Sequence, residues 1–175
     1  MKTVESWLDE VLNNPTKMIE WLTKQYHGEA TAAVRIRSFS NKYAIDEKHK
    51  KTLEVIAAQE DKHADWIGDL LWSRGIKAKI IIGKEERYWE KTIPGIHSFE
   101  TGTAVAAHAE GMRLKRIRAI LAHPDSPADI QKVFAKILPE EEFHERSFCA
   151  MSNHSALKAT AGNHQAGFEA LCLVL

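Results

Sequence analysis

The stretch Ile137-Leu-Pro-Glu-Glu-Glu-Phe-His-Glu-Arg-Ser-Phe148 places Glu141 and His144 on a helical face otherwise made of Ile130, Phe134, Ile137, Phe148 and Met151. Steps of three and four residues put these side chains along one stripe. An ionised carboxylate among such neighbours is unfavourable by several kcal/mol unless it is paired or bound to a cation. Glu142 points about 100° away from Glu141. Glu140 either lies on the flank or reaches a neighbouring element. Pro139 lacks a backbone donor and disfavours the helical conformation of Leu138, so a kink or π-type bulge is expected just before the acids.

Three other stripes have the same form. Leu22, Tyr26, Glu29, Ala33, Ile36 and Tyr43 form the first, and Leu53, Ile56, Glu60, His63, Ile67 and Leu70 the second. Thr103, Ala107, Glu110, Leu114, Ile117 and Leu121 form the third. In each, a glutamate occupies a position that otherwise reads as core. A shift of 81 residues lays Glu29 on Glu110, Glu60 on Glu141 and His63 on His144. It also aligns His27 with His108, Arg35-Ile36-Arg37 with Arg116-Ile117-Arg118, Lys51 with Lys132, and Ile56 with Ile137. These nine identities fall between residues 27 and 63, where unrelated sequences would share roughly two or three. Two similar helix hairpins related by a pseudo-twofold are expected.

Helix signals set the boundaries. A short helix covers about Val4–Leu12. Thr16 after Pro15 caps a helix to about Ala44, and Asp46 caps the next, which Gly75 stops. Ser98 caps a third, ending near His123-Pro124. Ser126-Pro127 opens a fourth as cap and first helical residue. Ile76–His97 is the one long connection, with Gly83, Pro94, Gly95 and the apolar run Ile80–Ile82, which is either a short strand or packed loop. It is a plain crossover, a cover over the bundle or a gate to a substrate channel. Two tight hairpins joined by one long crossover form an all-α four-helix bundle, here with a short N-terminal helix, an extra C-terminal segment and one domain over residues 1–175. The apolar tail His164–Leu175 docks on the bundle, builds a homodimer contact or touches a membrane, and the first two are expected because so short a run cannot span a bilayer.

The 175 residues carry 24 Lys+Arg against 24 Asp+Glu, so no basic stripe announces a nucleic-acid partner. No apolar run is long enough to span a bilayer, and the amphipathic start does not read as a signal peptide. A cytoplasmic location and no stable membrane insertion are expected. Cys149 and Cys172 lack metal-motif spacing.

Glu29, Glu60, His63, Glu110, Glu141 and His144 are the candidate metal ligands. Four carboxylates at one level would repel one another; two divalent ions balance the charge, and two neutral imidazoles complete the set. Oxygen-rich donors with one histidine per metal suit iron or manganese better than zinc. Arg35, Arg37, Arg116 and Arg118 are expected in outer or surface ion pairs. Tyr26, one turn before Glu29, is a candidate hydrogen-bond donor or radical site near the metals, or a core residue. His27 and His108 fall off the metal face and are read as structural or solvent-facing. Trp66, Trp72 and Trp89 are read as core or interface packing.

These residues resemble the ferritin-like di-iron carboxylate family, over about residues 16–153. The resemblance implies a di-iron centre reacting with O₂ or peroxide, with Glu60 and Glu141 bridging, Glu29 and Glu110 terminal, and one histidine on each iron. The six-ligand core is similar to that of rubrerythrins. Those normally add a further third-helix glutamate and a cysteine-rich rubredoxin domain. This chain has Ala107 and Arg113 around Glu110 and no CxxC, which implies an external electron donor. The run Tyr26-His-Gly-Glu29 also resembles demethoxyubiquinone hydroxylases, and di-iron tRNA hydroxylases share the ligand pattern. Three functions follow: an oxidoreductase using O₂ or peroxide, a hydroxylase of a quinone or a modified tRNA, and an iron-storage protein.

Overall fold

A computed structural model describes residues 2–81, 87–171 and 173–174. Seven helices dominate: α1 (Val4–Leu12), α2 (Pro15–Tyr43), α3 (Glu47–Trp72), α4 (Arg87–Thr92), α5 (Phe99–Ala122), α6 (Ala128–Met151) and α7 (His154–Ala170). A 3₁₀ turn, Ile93–Gly95, follows α4. Lys2–Thr3 (β1) pairs in parallel with Leu173–Val174 (β2), joining the two ends of the chain.

The helix starts follow local chemistry. Asn14, not Thr16, caps α2: its Oδ1 accepts from the Thr16 and Lys17 amides, because Pro15, having no N–H, takes the first helical position. Asp46 and Ser98 cap α3 and α5 as expected. Pro127, not Ser126, sits at the α6 cap. The Ser126 hydroxyl instead donates to the Ile120 carbonyl at 2.6 Å and fastens the α5–α6 turn. Gly75 stops the run after α3 in the left-handed region, φ 73°. Helix α6 is α-helical through Pro139, with no π-type turn.

Helices α2 and α3 form one hairpin, α5 and α6 the other, and α3 packs on α6. Helices α2 and α5 meet through side chains, with Phe39 stacked on Phe99 and Arg113 paired with Glu29, and leave a cleft between them. The pseudo-twofold extends to the surface. Arg37 Nη1 bridges Asp61 at 2.8 Å in the first hairpin, and Arg118 Nη2 bridges Glu142 at 2.8 Å in the second. Residues 76–81 have no regular structure; Ile82, Gly83 and Cys172 lie outside the described residues. Helix α7 packs on α5 and α4, so the C-terminal segment docks on the bundle as far as Ala170, while Cys172 and Leu175 lie outside the described residues. Trp66 and Trp89 are packed, whereas Trp72 is 73 % exposed. Among the described residues no helix is long and apolar enough to cross a membrane.

Two apolar clusters fill the bundle. One holds Leu8, Trp21, Leu22, Ile67, Leu71, Ile117, Ile120, Ile130, Phe134 and Ile137. The other holds Ala44, Leu53, Ile56, Ala107, Phe148 and Met151. On every long helix the stripe glutamate falls between the residues of one cluster and those of the other. The acids therefore form a polar layer sealed at both ends by hydrocarbon.

Candidate metal centre

Glu29, Glu60, His63, Glu141 and His144 are fully buried, and Glu110 is 8 % exposed. The fold brings all six together. Glu29, Glu60, His63 and Glu141 form one group, and Glu60, Glu110, Glu141 and His144 a second. Within each, one donor atom per residue lies within 4.8 Å of all the others. Donors about 2 Å from one ion stand at most about 4 Å apart, so a small contraction suffices. Glu60 and Glu141 belong to both groups, Glu29 and Glu110 to one each.

The histidines are aimed. His63 Nε2 donates to Glu140 Oε2 at 2.8 Å, and His144 Nε2 donates to Gln59 Oε1 at 3.0 Å. Each outer nitrogen carries the proton in this assignment, so each Nδ1 lone pair faces the acids. His63 Nδ1 is 3.4 Å from Glu141 Oε1, and His144 Nδ1 is 3.4 Å from Glu60 Oε1. Glu140 is held in turn by Lys62 Nζ at 2.5 Å. The ring of Trp66 stacks beside His63, centroids 5.8 Å apart.

The interior atoms lack hydrogen-bond partners. Both oxygens of Glu29, Glu60 and Glu141, and Nδ1 of both histidines, are buried without one. Buried polar atoms are nearly always paired, so eight orphans around one point mark a place for cations. Arg113, on α5, reaches this layer. It forms an ion pair with Glu29 and places Nε 2.9 Å from Glu141 Oε1, though neither contact has hydrogen-bond geometry.

The electrostatics reflect the crowding. Burial first, then Glu141 and Glu60, push the Glu110 carboxyl well above the usual carboxylate range. Burial and the Glu141 charge raise Glu60. Burial also opposes ionisation of Glu141, yet Arg113, His144 and His63 together hold it well below that range. Burial disfavours protonated His63 and His144, but Glu141 and Glu60 outweigh it and raise both.

The remaining sequence-predicted residues lie elsewhere. The Tyr26 ring lies beside Gly68 and against the apolar cluster of Leu22 and Ile67, and no hydrogen bond links its hydroxyl to the six residues. His27 Nδ1 accepts from the Ile81 amide at 3.0 Å and ties down the crossover. His108 Nε2 donates to the Leu157 carbonyl at 3.2 Å and fixes α7. Arg35 donates to Thr31 Oγ1 at 2.7 Å and lies over Trp89. Sequence reasoning did not assign Gln59 or Arg113 a place at the site. The signal for Gln59 was its position directly before Glu60, matching Glu140 before Glu141. The signal for Arg113 was its i+3 step from Glu110.

The cleft between α2 and α5 is a cavity of about 660 Å³. Its aromatic lining is Trp7, Trp21, Phe39, Tyr88, Trp89, Phe134 and Phe148. Glu110 and Arg113 lie on its wall, so it connects the surface with the acids.

Four antiparallel helices, four interior glutamates and two opposed histidines define the ferritin-like class of two-metal carboxylate bundles. The sequence also matches the family model described as Rubrerythrin over residues 20–152, a span that takes in the whole acid layer. The chain belongs to the rubrerythrin family. No curated protein and no solved structure matches it.

Proposed function

We propose that this chain is a di-iron oxidoreductase that reduces O₂ or peroxide with electrons from an external donor. The observation that carries the reading is the set of eight orphaned donor atoms, with both imidazole lone pairs fixed inward. Glu60 and Glu141 would hold both metals, Glu29 and His63 one, Glu110 and His144 the other. Bound iron would supply electrons at the point where the oxidant enters; manganese fits the same donors. The two apolar clusters keep bulk water from the acids, and the cleft past Glu110 admits a small oxidant. For peroxide, two electrons and two protons convert H₂O₂ to two waters, with the donor oxidised.

The test is consumption of H₂O₂ or O₂ by protein loaded anaerobically with Fe(II), with a chemical reductant present. Turnover well above that of free Fe(II), lost in Glu141→Ala, is the expected result. Rates equal to free iron would reject the reading.

A second reading, hydroxylation of an organic substrate, draws on the cleft. A volume of about 660 Å³ with aromatic walls exceeds what O₂ or peroxide needs and falls in the range of organic-ligand sites. Product analysis after incubation with a quinone or a modified tRNA separates the two.

A further inference from the structure

We propose that Arg113 guards one of the two metal positions, so that the positions fill in a fixed order. This inference rests on the six-ligand reading above and adds to it an inequality between its halves.

The ligand set is symmetric under the 81-residue repeat, but Arg113 is not. The equivalent residue of the first hairpin is Ala32. The Arg113 guanidinium pairs with Glu29 and with Glu141 Oε1. Both belong to the group Glu29, Glu60, His63 and Glu141. In the other group, among the described residues, no arginine forms an ion pair with Glu110 or Glu60, and the shared Glu141 turns its Oε2, not the Oε1 that Arg113 meets, to His144 Nδ1 at 3.3 Å. Arg35, whose charge favours ionised Glu110, is held by Thr31 and Trp89.

A guanidinium does not lose its proton in proteins. It cannot share Glu29 and Glu141 with a divalent ion by neutralising itself, and it has to leave. The cleft offers room: Arg113 lines it and its side chain is 20 % exposed. A cation entering the His63 position therefore first displaces Arg113 from Glu29 and from Glu141 Oε1, whereas one entering the Glu110–His144 position meets Glu141 Oε2 and leaves the Glu29 pair in place. The Glu110–His144 position fills first and tightly; the His63 position fills second, once Arg113 has swung into the cleft. Until then Arg113 supplies one positive charge to a layer of four carboxylates, which favours the metal-free fold.

The test titrates the metal-free 175-residue chain with Co(II) alone, followed by visible absorption and calorimetry. Wild type is expected to bind in two steps whose affinities differ on the order of ten- to a hundredfold, the effect of one opposite charge held beside a carboxylate. Arg113→Met and Arg113→Ala should tighten the second step by that factor and merge the two. Both should also lower the melting temperature of the metal-free protein but not of the loaded protein. Glu29→Gln should remove the weak step and His144→Ala the tight one. These two assignments stand even where Arg113 variants fail to fold without metal. Two equal steps in wild type, an unchanged second step in a folded Arg113 variant, or loss of the tight step in Glu29→Gln would overturn the proposal. Failure to bind Co(II) at all would instead reject the six-ligand reading.

Discussion

Gln59 and Glu140 stand 81 residues apart at equivalent places in the two hairpins, and each holds the histidine of the other hairpin. Gln59 accepts from His144 at 3.0 Å and Glu140 from His63 at 2.8 Å. The exchange locks α3 to α6 across the site and orients both imidazoles. It is also chemically unequal, since a carboxylate strengthens an imidazole as a donor more than an amide does.

Replacing Glu140 by glutamine keeps the shape and removes that charge. Metal affinity at the His63 position should fall roughly 10- to 100-fold, with little change at the His144 position. Competition with a chelator of known affinity measures this. Equal weakening of both positions would show that Glu140 acts on the layer as a whole.

Metal should stabilise the fold. A ligand at about 100 times its Kd adds about 2.7 kcal/mol, and about 1 kcal/mol moves the melting temperature of a domain of this size by roughly 2–4 °C. Chelation should therefore lower the melting temperature by roughly 5–10 °C. Glu60→Ala should lose the metal-dependent part of the stability, because Glu60 serves both groups. Calorimetry with and without chelator reads both.

The docking of α7 should weaken in mild acid. The Tyr88 hydroxyl donates to His164 Nδ1 at 2.8 Å, and the His164 ring stacks on His108 at 4.8 Å. Burial, then His108 and Lys115, lower the His164 pKa below its ordinary 6.5. The unfolded chain therefore binds this proton more readily than the folded one. The contribution is fully present above about pH 6.5 and falls as pH drops toward the lower folded value. Amide exchange in α7 should accelerate over that window, and His164→Gln should flatten the dependence. Acceleration that persists in His164→Gln would assign the effect to another group.

Phe134 is 1 % exposed and stacks on Trp21 with centroids 5.4 Å apart, just below the acid layer. Phe134→Ala should cost about 3–5 kcal/mol, measured by urea unfolding. A loss below about 1 kcal/mol would mean that the cleft lining collapses to fill the space.

Much of this was legible in the chain because burial and charge conflict there. A glutamate between Ile56 and Ile67, or between Ile137 and Phe148, has few physical explanations, and the 81-residue repeat pairs each with a counterpart. The bundle followed from the same stripes. The helix caps were read within two residues, because Pro15 and Pro127 each dictate the start without saying which neighbour supplies the cap. Glu140 and Gln59 were less legible, since a polar residue on a helix flank is ordinary until the facing helix is placed. The reach of Arg113 into the layer depends on the gap between α2 and α5, which no single helix pattern encodes.

Metal analysis with Mössbauer spectra, after anaerobic loading with ⁵⁷Fe(II) and removal of unbound ion, tests the central claim most directly. The account predicts two irons per chain in wild type, and none held in a Glu60→Ala, Glu141→Ala double variant that remains helical. Binding of fewer than two irons by wild type, or an undiminished load in the double variant, would contradict it.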